Sequence, residues 1–481
     1  MIKKSINRLV GLKKESFDQF RKTGQIQLQP ARLIPALRTG DEMALTSIFL
    51  SGLKLVKEFR DIFFKEIGLS RRGKFYFFTE AKFNDISSAK LDGLIIVVVS
   101  GKIVDAVFLE MKNANNFLDS QQLERYIDIS KKLRVDKFVT VSNEFVTDSN
   151  CSPVTVKNTR SVTLSHFSWT YLITKAQLLL FKNNTNIDDR DQVEIMKEIL
   201  FYFEHNKSGI KGYSKMKPGW KKLAENITGQ RSLALRDKYI EEAVLSWHEL
   251  EKALALLLSR KLGVIVEPVR KSSNRLKNDI VKVVENQYLE GAISAQGAVS
   301  NIKIKMEFER RTVSMSISVT PPQDRRNSSR VTWVNNQLKR CKEKSSHLFA
   351  KYADEIWLES DITYKKEHHR IKLGELTSFS ESARNLNDIK NFNIILIKRL
   401  GSNFASRARV VAILENMIVE YYQCIVENFT SWKKPAPKIV QDKTKIEEPL
   451  NNNLTKNIIV PPIIPLDQQS SSLEVPRPPS I

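Results

Sequence analysis

The stretch LDGLIIVVVSGKIVDAVFLEMK, from Leu91 to Lys112, constrains the fold more than any other part of the chain. Two runs of β-branched and aromatic residues flank Ser100-Gly101, a pattern that a β-hairpin satisfies and a helix does not. Opposed residues in a hairpin have a constant number sum. A three-residue loop of Ser100, Gly101 and Lys102 gives 202, which sets Asp92 opposite Glu110. Opposed residues share a face, and Lys112, two residues beyond Glu110, shares it too. A two-residue loop shifts the register by one and separates the carboxylates.

Two carboxylates roughly 5 Å apart across a strand pair are costly beside an apolar core unless something balances them. A divalent metal does so. Oxygen-only donors favour magnesium or manganese over zinc, and such an ion activates water for attack on phosphorus. The Lys112 ammonium would then orient that water or stabilise the transition state.

Around the hairpin the order is helix, three strands, helix, strand. Apolar spacing in DEMALTSIFLSGLKLVKEFRDIFF predicts one long amphipathic helix, capped by Thr39 or Asp41. KFYFFTEAKF, the two hairpin runs and DKFVTVSNEF read as strands, and LDSQQLERYIDISKKLR reads as a helix capped by Asp119 or Ser120. VTLSHFSW adds a strand, and residues 171–225 read mainly as helix. Domain assignments follow: a basic arm over 1–39, with nine Lys/Arg against two Asp/Glu in residues 1–40; a first domain with a helical extension over 40–229; an α+β accessory domain over 230–432; and a disordered tail over 433–481 holding nine of the sixteen prolines. In the accessory domain, PPQDRRNSSRVTWVNNQLKR offers Arg325, Arg326, Arg330, Lys339 and Arg340 with Trp333 among them, leading into and along a basic helix that begins at Ser328. That helix reads equally as a phosphate grip or as a solvated face.

Taken together these residues resemble the restriction-endonuclease-like superfamily named for its PD-(D/E)XK motif. Within it they look like an uncharacterised bacterial branch with a second domain; PARLIP, LDGLI, LEMK, QLERYID and VSNEF carry the likeness over about residues 30–175. Leu91 stands where the motif has proline. The resemblance implies an α/β core with a mixed central sheet flanked by helices. It also implies a magnesium- or manganese-dependent nuclease, an endonuclease or exonuclease, that hydrolyses DNA phosphodiester bonds. Glu42, Asp92 and Glu110 would hold the metal and Lys112 would assist water. Gln122 and Tyr126, as Gln-x-x-x-Tyr, would position substrate. Glu80, on a strand, rivals Glu42 for the helical glutamate's role.

Lysine plus arginine number 77 against 54 aspartate plus glutamate, a net +23 that suits a polyanionic partner. DNA comes first and RNA stays open, as do repair, restriction and phage defence as settings. Three scattered cysteines make no zinc knuckle or disulfide framework, which fits a reducing cytoplasm. VVAILENMIVEYY is interrupted by Glu415 and Glu420, so no membrane span is expected. No GxxxxGK[ST] or GxSxG motif occurs. The second reading from another class is a nucleic-acid-binding or scaffolding protein that keeps this fold without catalysis and recruits protein partners through the accessory domain or tail.

Overall fold

The computed structural model describes residues 6–30, 40–157, 159–181, 187–269, 274–362, 369–375 and 388–432. All of them fall within the compact unit Met1–Lys433. The expected tail over 433–481, and Thr39 as a cap, lie outside the described residues.

Two sheets organise this unit. The first sheet and its helices comprise α1 (Lys14–Lys22), β1 (Ile26–Pro30), α2 (Glu42–Leu55), α3 (Lys57–Glu66), β2 (Lys74–Phe83), β3 (Lys90–Val99), β4 (Lys102–Met111), α4 (Ser120–Lys132), β5 (Lys137–Ser142), β6 (Thr163–Ser168), α5 (Trp169–Leu178) and α6 (Arg190–Glu204). Its strands lie in sequence order; β4, β5 and β6 run parallel to one another and the other pairs are antiparallel. Ile95, Val97, Val107, Leu109 and Val139 pack on one face with α2, α3, α5 and α6. Leu94, Ile96, Ala106, Phe108 and Phe138 pack on the other with α1 and α4. Burial on both faces is why the hairpin is apolar throughout instead of alternating.

The hairpin reaches the expected register by another route. Val98 pairs with Ile103 and Val99 with Lys102, a sum of 201 and a two-residue turn, while Val97 pairs with Asp105 and Gly93 with Leu109, a sum of 202. Ser100 (φ 49°) and Gly101 (φ 74°) are both left-handed, as a type I′ turn requires. A bulge at Val104, which is 42% exposed, then inserts the residue that restores 202.

Three further differences from the sequence reading have local causes. The helix expected from Gly40 onward breaks at Val56, whose extended backbone (φ −111°) ends α2 and starts α3. The break keeps Val56, Phe59, Phe63 and Phe64 in one core. Of the segment read as a basic arm, residues 6–30 form α1 and edge strand β1 and bury Ile6, Leu9, Phe17 and Ile26. Finally, α7 (Pro218–Thr228), read with the first domain, packs Trp220 and Leu223 into the second core.

That second core lies against α8 (Lys238–Leu262), β7 (Val266–Pro268), α9 (Arg275–Asn286), β8 (Tyr288–Ala295), β9 (Ile302–Glu307), β10 (Thr312–Val319), α10 (Asn327–Lys344), α11 (Ser346–Lys351), β11 (Ile356–Ile362), β12 (His369–Lys372), β13 (Ile389–Arg399) and α12 (Arg409–Cys424). The sheet is wholly antiparallel in the order β12-β11-β13-β10-β9-β8-β7. Strict alternation in β10 buries Val313, Met315, Ile317 and Val319 and leaves Ser314, Ser316 and Ser318 on the opposite face. Among the described residues no helix is long and apolar enough to cross a membrane.

Serine carries a backbone cost in the left-handed region that glycine avoids. Replacing Ser100 with Gly is therefore expected to stabilise the protein by about 0.5–1 kcal/mol, read as a higher urea midpoint at unchanged slope. A lower midpoint would contradict the turn as described.

Candidate active site

The hairpin's register brings the carboxylates together at one end of the first sheet. Asp92 is the third residue of β3, and its Oδ2 accepts the Met111 backbone N–H at 2.8 Å. Glu110, next to last in β4, is fully buried. Neither of its oxygens has a well-directed hydrogen-bond donor among the described residues, although Lys112 Nζ lies 2.7 Å from Oε1. Lys112 Nζ also lies 3.5 Å from Glu42 Oε2, so the ammonium links the hairpin to the first turn of α2.

Burial dominates the electrostatics. It pushes the Glu110 carboxyl up to about 8, and the neighbouring Asp92 charge adds to the effect. Asp92 is raised for the same first reason, against the opposing Met111 N–H and Lys112. Burial works against the Lys112 ammonium, but Glu110, Asp92 and Glu42 outweigh it and hold the lysine firmly protonated. Two acids that resist ionising together beside a fixed cation form a site short of positive charge.

Glu42 is held from its own side. Asp41 caps α2 by accepting the Met43 N–H at 2.8 Å, which points Glu42 toward the loop after β4. Its Oε1 accepts Asn116 Nδ2 at 2.6 Å and the Asn113 N–H at 3.4 Å. Asn113 is buried and donates from Nδ2 to Gly40 O at 2.7 Å and to Ser208 O at 2.9 Å. Gly40 (φ 85°) admits no other residue, since a Cβ there would lie 2.2 Å from Lys207 O. Glu80, the rival, takes a left-handed backbone (φ 54°) and pairs with Lys90 instead.

Helix α4 supplies the remaining expected residues. Gln122 Nε2 donates to the Tyr126 hydroxyl at 2.9 Å, and that hydroxyl donates to Lys90 O at 2.9 Å, one residue before Leu91 and Asp92. Burial, then Glu110, holds the Tyr126 phenol above its usual range, so it stays protonated. Its ring stacks on Phe138 at 6.1 Å.

Sequence reasoning missed Asn113, Asn116, Thr140 and Trp169. Thr140 pairs with Glu110 and His166 with Thr140, so a polar row crosses three strands. His166 Nε2 donates to Glu144 O and Nδ1 accepts from Thr140 Oγ1, both at 2.9 Å. Burial pushes His166 down to about 4, so it is neutral at physiological pH. Trp169 Nε1 donates to Lys112 O at 2.8 Å and fixes the end of β4. The spacing Glu110-x-Lys112-Asn113 was the available signal for the asparagines; the partners in later strands left none. In the accessory basic helix, Arg330 is buried against Ile389 O and Gln323 O, and Arg340 clasps Asn428 O. These two arginines hold loops.

Among the described residues no group of three His, Cys, Asp or Glu is gathered to hold a metal. The donor chemistry nevertheless suits a hard divalent ion: Asp92 and Glu110 offer only oxygens, and both Glu110 oxygens are buried without a directed donor.

In the folded chain Glu110 keeps its proton up to about pH 8, against 4.5 ordinarily. Between those values the folded state holds a proton that the unfolded chain has released, so stability falls as pH rises. The thermal midpoint of metal-free protein is expected to fall from about pH 5 to about pH 8, and added magnesium to raise it more at the upper end. Glu110→Gln should flatten both responses; an unchanged profile in that variant would refute the assignment. No protein-family model, no curated protein and no solved structure matches this chain.

Proposed function

We propose that this chain is a metal-dependent nuclease that hydrolyses DNA phosphodiester bonds, with a first domain of the restriction-endonuclease-like type. The observation that carries the reading is half-buried Asp92 beside fully buried Glu110, at the end of the β3–β4 register, with Lys112 next to Glu110. Support also comes from the order of elements: α2, an antiparallel β2-β3-β4 meander, crossover helix α4 and then β5 parallel to β4.

Asp92 and Glu110 would hold magnesium or manganese, with Glu42 at the rim. The ion, when bound, supplies the charge that these acids need in order to ionise and a means of activating water. The chain's own groups do the rest. Lys112 offers a fixed ammonium to the anionic phosphate as charge builds there. Asn113 and Asn116 keep the Glu42 carboxylate turned toward Lys112. Tyr126, protonated and hydrogen-bonded to Gln122, holds the start of β3 in place and exposes Gln122 to the substrate strand. The net +23 charge adds affinity for the backbone that weakens with salt.

Lys112→Ala is expected to lower metal-dependent cleavage by roughly 10²- to 10³-fold while DNA binding persists. Asp92→Ala should abolish cleavage. The assay uses linear, circular and single-stranded DNA with magnesium or manganese against chelator. Full-rate cleavage by Asp92→Ala would overturn the proposal, and salt-sensitive binding without cleavage by wild type would favour a binding protein.

A further inference from the structure

The loop joining β4 to α4 exposes one large aromatic ring beside the candidate site. Phe117 is 70% exposed, yet the residues on both sides of it are fixed. Asn116 donates to Glu42 at 2.6 Å, while Leu118 is buried and its N–H donates to Glu144 Oε2 at 3.2 Å. The ring is therefore presented on an anchored backbone, next to the residue that braces Glu42.

Local structure gives Phe117 no task. Helix α4 is capped by Asp119, which accepts the Gln122 N–H at 2.7 Å. The apolar residue before that cap is Leu118, and it is buried with Leu123 in the first turn in the manner of a hydrophobic staple. Phe117 lies one position too early for that contact. Two residues before it in the same exposed loop, Asn115 accepts from Lys211 Nζ at 2.8 Å, which brings a cation to that loop.

We propose that Phe117 is a nucleobase-stacking residue that selects substrates with an unpaired base next to the phosphate held at Asp92 and Glu110. This rests on the nuclease reading of that site. A ring on the surface gains contact with the face of a base only where the base has left its own stack, because duplex neighbours otherwise cover both faces. Stacking of a base on an aromatic side chain tolerates any sequence. The selectivity is thus for unpaired structure, such as single strands, frayed ends or flaps.

The test measures binding in chelator, so that no readout depends on catalysis. It uses oligonucleotides carrying the fluorescent adenine analogue 2-aminopurine, either unpaired or within a full duplex. Wild type is compared with Phe117→Ala, Phe117→Leu and Phe117→Trp, and with Phe201→Ala, a variant of an equally exposed phenylalanine on α6. Phe117→Ala and Phe117→Leu should weaken binding of the unpaired oligonucleotide roughly five- to hundred-fold and lose the quenching of 2-aminopurine. Phe117→Trp and Phe201→Ala should retain both, and duplex binding should stay within about two-fold in every variant. Wild-type-like binding and quenching in Phe117→Ala would overturn the stacking role alone. Failure of wild type to bind either oligonucleotide would overturn the nuclease reading and this inference together.

Discussion

Two acids facing each other in a fully packed sheet set the terms for everything near them. Asp92 and Glu110 cannot both ionise without a cation, and the fold answers locally with one backbone N–H from Met111 and one ammonium from Lys112. The Lys112 carbonyl is in turn tied to Trp169, whose ring meets Phe49 and Phe203 in the core. The polar end of the hairpin is thus anchored by the apolar packing behind it. A buried pair of this kind is poor value for stability alone, since well-packed apolar residues would serve as well or better.

The sequence made the face of each hairpin residue legible, because parity along a strand needs only a turn of known length. It did not make the turn itself legible. A two-residue turn followed by a bulge at Val104 and a three-residue turn without one end in the same pairing, and Val104 looks like any other strand valine. Caps were readable at Asp41 and Asp119, where short acidic side chains precede apolar periodicity. The break at Val56 was not, since periodicity continues through it and only packing against Phe59 and Phe63 decides it. Long-range partners were the most hidden: nothing near Asn113 signals Ser208, and nothing near Glu110 signals Thr140 and His166.

The two sheets solve burial differently. The first is covered on both faces and can therefore enclose charged groups at its end, away from bulk water. The second alternates, packing its helices on one face. Between them, Phe145 of the first packs with Ala253 and Leu256 of α8, and Tyr213 lays its ring edge against Phe145 at 5.3 Å. The segment from His205 to Lys217 that joins the sheets is therefore itself part of their contact.

That joining segment also reaches the loop after β4. Asn113 spends its amide on Gly40 and Ser208, Gly209 O accepts the Ala114 N–H at 2.8 Å, and Asn143 binds Gly209 and Lys211. A linker in a modular protein is interchangeable: it tolerates insertion, and either module can be inherited without the other. Here the linker is a structural wall of the site, so the two sheets are not independent modules. Duplication or recombination that separated them at this point would leave the first sheet complete in its strands but with the brace on Glu42 undone.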